Sequence, residues 1–191
     1  MDPVVHGFDA YSPREIPARV REFCVVKARL PLLSLAMLGM LAGAFIGLGA
    51  MMFTLVASDA SLGFAAQRLL GGLAFSLGLV LVTVAGAELF TGNNLLAMAW
   101  ADGCVSTSQV LRNWTVVCVT NFAGATALAL LVWLSGQAEL NGGAVGAAAV
   151  RTAVAKANLG LAEAFFRGML CNVLVCMAAW MALAGRSVTD K

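Results

Sequence analysis

Long apolar tracts broken by short polar stretches set the layout of the chain. Residues 30–57 carry no charge. Residues 69–87 and 89–101 are also charge-free, and Glu88 alone divides them. Residues 107–135 hold one charge, Arg112, and residues 161–183 hold Glu163 and Arg167. An α-helix needs about 20 residues to cross the hydrocarbon of a bilayer. The pattern therefore predicts an all-α integral membrane protein. Its spans fall at about 31–57, 68–101, 107–135 and 161–183, the second interrupted at 88–93.

The interruption is Glu88-Leu89-Phe90-Thr91-Gly92-Asn93-Asn94. A carboxylate at bilayer depth costs a few kcal/mol unless it is partnered or hydrated. Glycine and asparagine favour turns over helix. Irregular backbone survives at that depth only where protein buries it or water reaches it. Two readings follow: a broken helix whose loop (Glu88, Gly92, Asn93) lines a pathway, or a continuous helix with its polar residues buried in a bundle. The stretch 94–101 is too short to span alone.

Finer patterns place other elements. Gly39, Gly43 and Gly47 recur every four residues, a face that admits close helix approach. Residues 12–30 read as a basic amphipathic helix with Ser12 as cap and Pro13 at its first position. Ile16, Val20, Phe23 and Lys27 share one side of it. Such a helix either lies at the cytoplasmic face or is a solvated leader. Trp114 and Trp133 fall near the ends of the third span, as interfacial aromatics do. Residues 136–160, rich in Gly and Ala, read as a connection with a turn at Asn141-Gly142-Gly143. Residues 1–30 thus form a cytoplasmic N-terminal segment and 31–191 the membrane domain.

Composition narrows the classes. Of 191 residues 61% are hydrophobic and 12% charged, where a soluble globule carries about twice that charge. A net charge of +2 gives no reason to expect nucleic acid. Arg14, Arg19, Arg21, Lys27, Arg29, Arg112, Arg186 and Lys191 fall on one side of the predicted spans. Arg68, Arg151 and Lys156 fall on the other. The positive-inside rule then places both termini in the cytoplasm. The first thirty residues do not read as a cleavable secretory signal. The five cysteines lack metal-type spacing, and His6 lies in the N-terminal stretch, so neither metal nor cofactor is expected. No nucleophile motif or phosphate loop appears, so no catalytic residues and no enzyme are expected. An intramembrane enzyme using Glu88 would need a second catalytic group, and none is evident.

Glu88-Leu-Phe-Thr-Gly-Asn93 resembles the loop motif of the formate/nitrite transporter family. Asn113-Trp114, Asn121-Phe-Ala-Gly-Ala125 and Glu163-Ala-Phe-Phe-Arg-Gly-Met-Leu-Cys-Asn172 continue the likeness, as does Leu174-Val175-Cys176. The resemblance covers nearly the whole chain. It implies an aquaporin-like helical bundle, broken in its second span, that assembles as a homopentamer with one pore per chain. It also implies passage of a small monovalent anion such as formate or nitrite through a bacterial inner membrane, with a coupled proton as an option. Phe75 and Leu79 match positions that narrow the pore from one side; Leu89, Phe90 and Val175 match those on the other. Thr91 and Asn172 match pore-side donors. Lys156, seven residues before Glu163, matches a lysine at the outer mouth. From the residues alone, the five apolar positions read as core, Thr91 and Asn172 as backbone-bonded polar groups, and Lys156 as a solvated lysine. Glu163 and Arg167 are spaced for an ion pair.

The family has six spans in two inverted halves. The likeness of Leu38-Gly-Met-Leu-Ala-Gly43 to Arg167-Gly-Met-Leu-Cys-Asn172 fits a second half that opens with the fourth span and is incomplete in this sequence. The pore histidine of the family's fifth span has no counterpart here. The alternative reading is thus a non-conducting fragment that only assembles in the membrane. Formate, nitrite, hydrosulfide and lactate are not distinguished by the sequence.

Overall fold

The computed structural model describes residues 11–191, and His6 lies outside the described residues. Seven α-helices follow in order among the described residues: α1 Ile16–Ala28, α2 Leu32–Ala57, α3 Phe64–Ala85, α4 Leu96–Ala101, α5 Thr107–Leu134, α6 Ala144–Ala157 and α7 Leu161–Ala184. Among the described residues, α2, α3, α5 and α7 are long and apolar enough to cross a membrane. Their outer faces carry Leu33, Leu73, Phe122 and Leu174, each more than two-thirds exposed, as an apolar solvent allows.

Helix α2 packs along α5 on one side and α3 on the other. Glycines set both seams. A methyl group at Gly39 would strike the Thr120 side chain, and one at Gly43 the backbone of Asn121. From the facing helix, a methyl at Gly124 would strike the backbone of Met40. Toward α3, a Cβ at Gly49 would stand 2.6 Å from Phe75 O, and one at Gly78 2.9 Å from Phe45 O. Backbones this close exchange dispersion and weak Cα–H···O contacts, which is how small residues join helices where lipid removes the hydrophobic drive. Helix α5 starts with a capping box: Gln109 N donates to Ser106 Oγ at 3.2 Å, and Ser106 N donates to Gln109 Oε1 at 2.8 Å.

Two elements and one side chain differ from the sequence expectation. Helix α1 begins at Ile16, with Pro17 rather than Pro13 in its first turn. Ser12 does not cap it; Ser12 N and Oγ instead donate to Glu15 Oε2, both at 2.8 Å. These bonds hold the Glu15 carboxyl below its ordinary pKa. The inward stripe of α1 is Ile16, Val20, Cys24 and Ala28, packed with Leu96, Ala99, Val105 and Val110. Phe23 is 41% exposed. The helix therefore docks on α4 and the start of α5.

The stretch read as a connection before the fourth span contains α6, a 14-residue helix. Its alanines are strong helix formers, and its glycines lie mostly at the start, where Gly143 takes a left-handed φ of 83°. Lys27 and Lys156 each sit in the last turn of a short helix that precedes a long one. Trp114 is an internal contact: its Nε1 donates to Asn93 O at 3.0 Å. Trp133 is 67% exposed near the far end of α5.

Candidate functional site

The second apolar tract is broken. Helix α3 ends at Gly86, which takes the left-handed region at φ 69°. Ala87 N then donates to Val82 O at 3.0 Å, so one orphan carbonyl of the helix end is satisfied. Residues 87–91 run without helix, a 3₁₀ turn spans Gly92–Leu95, and α4 follows. The break thus opens two residues earlier than 88, and Gly86 ends the helix. Gly92 sits in the 3₁₀ turn with open space beside it.

A polar circuit holds the loop. Lys27 Nζ from α1 stands 3.1 Å from Glu88 Oε1, with side chains only 11% and 3% exposed. The same Nζ donates to Asn93 Oδ1 at 2.9 Å. Asn93 Nδ2 donates to Glu88 Oε2 at 2.7 Å and to Asn113 Oδ1 at 2.9 Å. Asn113 Nδ2 closes the circuit on Lys27 O at 3.3 Å. Burying one charge alone would be prohibitive; the opposite charge and the full set of hydrogen bonds offset the desolvation.

A second set holds the loop backbone. Asn121, midway along α5, accepts from Phe90 N at 2.9 Å and donates to Gly39 O and Glu88 O, both at 2.8 Å. Glu88 N donates to Leu38 O at 3.2 Å. Backbone groups freed by the break thus find partners in α2 and α5.

The expected pathway residues are divided among cavities. Leu79, Leu89 and Val175 line a cavity of about 260 Å³ together with Gly92, Phe23 and Lys27. Asn172 lines a second, of about 600 Å³, with Asn94, Gly168 and Cys176. Lys156 lines a third, of about 420 Å³, with Arg68, Arg151 and Arg167. Phe90 sets its ring edge-on to Trp114, with centroids 6.4 Å apart, and Phe75 is 39% exposed on α3. Thr91 stands between the loop and α7: its carbonyl lies 3.3 Å from Cys176 Sγ, which also reaches Asn172 Oδ1 at 3.1 Å. Glu163 and Arg167 form an exposed ion pair one turn apart on α7.

Sequence reasoning placed Lys27 on the amphipathic face but did not pair it with Glu88. The usable signal was charge balance, since an acid at depth requires a nearby cation. Asn113 and Cys176 stood within recognised motifs without a role.

Comparison with known proteins extends over almost the same residues. A family model described as formate/nitrite transporter matches residues 14–191. The formate channel FocA of Haemophilus influenzae is 39% identical over 184 residues, 95% of this chain and 64% of that protein. The formate channel FocA of Escherichia coli K12 is 36% identical over 185 residues, 96% of this chain and 65% of that protein. The chain therefore spans just under two thirds of the length of these relatives. A solved pentameric formate channel with formate bound superposes with a TM-score of 0.78 at 38% identity, covering 84% of this chain and 63% of that one. An ion channel described as of the FNT family gives 0.82 at 29% identity, covering 93% and 71%.

Proposed function

The chain belongs to the formate/nitrite transporter family, and from that premise we propose that it is a subunit of a membrane channel for a small monovalent anion such as formate. The observation that carries the reading is the broken second span. Its loop is pinned from outside by Lys27, Asn113 and Asn121, while Leu89 faces a cavity with Leu79 and Val175 across it. A narrow apolar passage beside a rigid polar loop suits an anion that must shed water briefly and leave again.

Leu79, Leu89 and Val175 form the constriction in this reading, with Phe75 and Phe90 bordering it. Thr91 in the loop and Asn172 at the second cavity, one turn before Val175 and Cys176 on α7, offer hydrogens next along the pathway. Lys156 raises the local anion concentration at the opposite mouth. Five copies assemble, as in the solved formate channel. The distribution of Lys and Arg supports cytoplasmic termini in a bacterial inner membrane.

The test is formate or nitrite flux into liposomes carrying the purified chain. Thr91→Val keeps the shape and removes the hydroxyl. It is expected to lower flux while the oligomer measured by light scattering stays unchanged. Flux indistinguishable from empty liposomes rejects the channel reading for this chain.

A further inference from the structure

Cys176 lies one helical turn after Asn172 on α7, so both side chains share one face. Its Sγ is 3.1 Å from Asn172 Oδ1 and 3.3 Å from Thr91 O. A thiol has one hydrogen and is a weak donor. Both acceptors are within its reach, and the Asn172 oxygen is the nearer. No described acceptor takes a hydrogen from Asn172 Nδ2, and Asn172 lines the second cavity. Among the described residues, the thiol is the one side chain bonded to the Asn172 amide, and Oδ1 is the end it meets.

That choice has a chemical consequence. A carboxamide has a donor end and an acceptor end. An anion offers only acceptors, so it is attracted by the NH₂ end and repelled by the carbonyl end. A free amide presents both by rotating about its last bond, which is broad and roughly two-fold. A donor held on Oδ1 removes that freedom.

We propose that Cys176 is a positioning residue for the anion. Its S–H ties down Asn172 Oδ1, and the Asn172 NH₂ is thereby aimed at the passing ion. The same sulfur spans the gap to the Thr91 carbonyl, so α7 and the loop of the second span are set against each other at this point. The inference rests on the anion-channel reading and adds to it a named group that orients one of its donors.

Two measurements test it. The first does not depend on conduction. In a chain whose other four cysteines are replaced by alanine, the infrared S–H band reports the hydrogen bond of Cys176. Asn172→Leu should move that band toward the frequency of a weaker bond. A band that does not move overturns the contact.

The second is flux in liposomes. Cys176→Val keeps the bulk and removes the donor, and Cys176→Ser restores a donor. The valine variant should raise the half-saturating formate concentration about three- to tenfold, the range one hydrogen bond is worth. Maximum flux per folded oligomer should hold, and serine should recover most of the loss. A purely structural role predicts equal loss at all concentrations with a lower unfolding temperature, and that result overturns the inference. An unchanged half-saturation in the valine variant also overturns it while leaving the channel reading intact. Absence of saturable flux in the unmutated chain overturns the channel reading and the inference with it.

Discussion

Lys27 and Glu88 make the most consequential contact between single residues. Both are nearly buried, and the bonds to Asn93 and Asn113 leave little unpaired. Removing one partner strands the other charge. Lys27→Met or Glu88→Leu alone should therefore destabilise the fold by about 3–5 kcal/mol, read as a lower unfolding temperature in detergent. The double variant removes both charges and should recover much of that loss. Additive losses would show that the two charges do not act as a pair. Glu88 announced itself in the sequence as an acid among apolar residues. Its partner did not, because Lys27 lies far away along the chain and the neighbouring Lys27–Asn93 bond already joins residues 66 apart.

Cys24 offers a second residue-scale check. It is 2% exposed, and burial pushes its thiol up to about 11. The reactive form is the thiolate. At about pH 8 a water-soluble maleimide should therefore label exposed Cys104 readily and Cys24 only after denaturation. Rapid labelling of Cys24 in the native protein would mean that α1 is not docked as described.

At the scale of elements, the two kinds of glycine make different predictions. Gly86 has open space around it but a left-handed backbone. Gly86→Ala should cost about 1–2 kcal/mol through strain alone and leave the helices in place. Gly43 has ordinary helical backbone but no room. Gly43→Leu must push α5 away from α2 and should lower the unfolding temperature more than Gly86→Ala does. The reverse order would overturn this assignment of the two roles.

The long helices were readable because apolar tracts of that length have few alternatives. The glycine face of α2 was readable from its spacing. Helix α6 was not, because the turn signal at Asn141-Gly142-Gly143 was extended over the alanines that follow it. The left-handed Gly86 went unnoticed because Gly92, Asn93 and Asn94 gave a stronger local turn signal six residues later.

For the whole molecule, the testable property is orientation. Four membrane helices beginning inside must also end inside. Reporter fusions after Asp102 and Lys191 should both read as cytoplasmic, and one after Asn141 as external. A fusion at Lys191 that reads as external would require a different number of crossings. The membrane class and the family were legible because hydropathy and motif order survive in one dimension. The grouping of Leu79, Leu89 and Val175 around one cavity was available only through the resemblance, since no local pattern links α3, the loop and α7. Arg68, Arg151 and Lys156 were placed on one side of the spans from the sequence, but their gathering with Arg167 around one cavity was not foreseen, because these cations come from three separate helices.

One turn of α2 answers to two masters. The carbonyls of Leu38 and Gly39 receive hydrogens from the broken loop and from Asn121, while Gly39 and Gly43 lie in the seam with α5. Volume and dipole direction are both fixed there. Side chains at Met37, Met40 and Leu41 point away and are 58%, 40% and 39% exposed. In a saturation library across 35–43, the permitted alphabet should therefore be wide at those three letters and collapse to glycine at 39 and 43. Such a scan would print the helix period as a record of which substitutions a lineage can try.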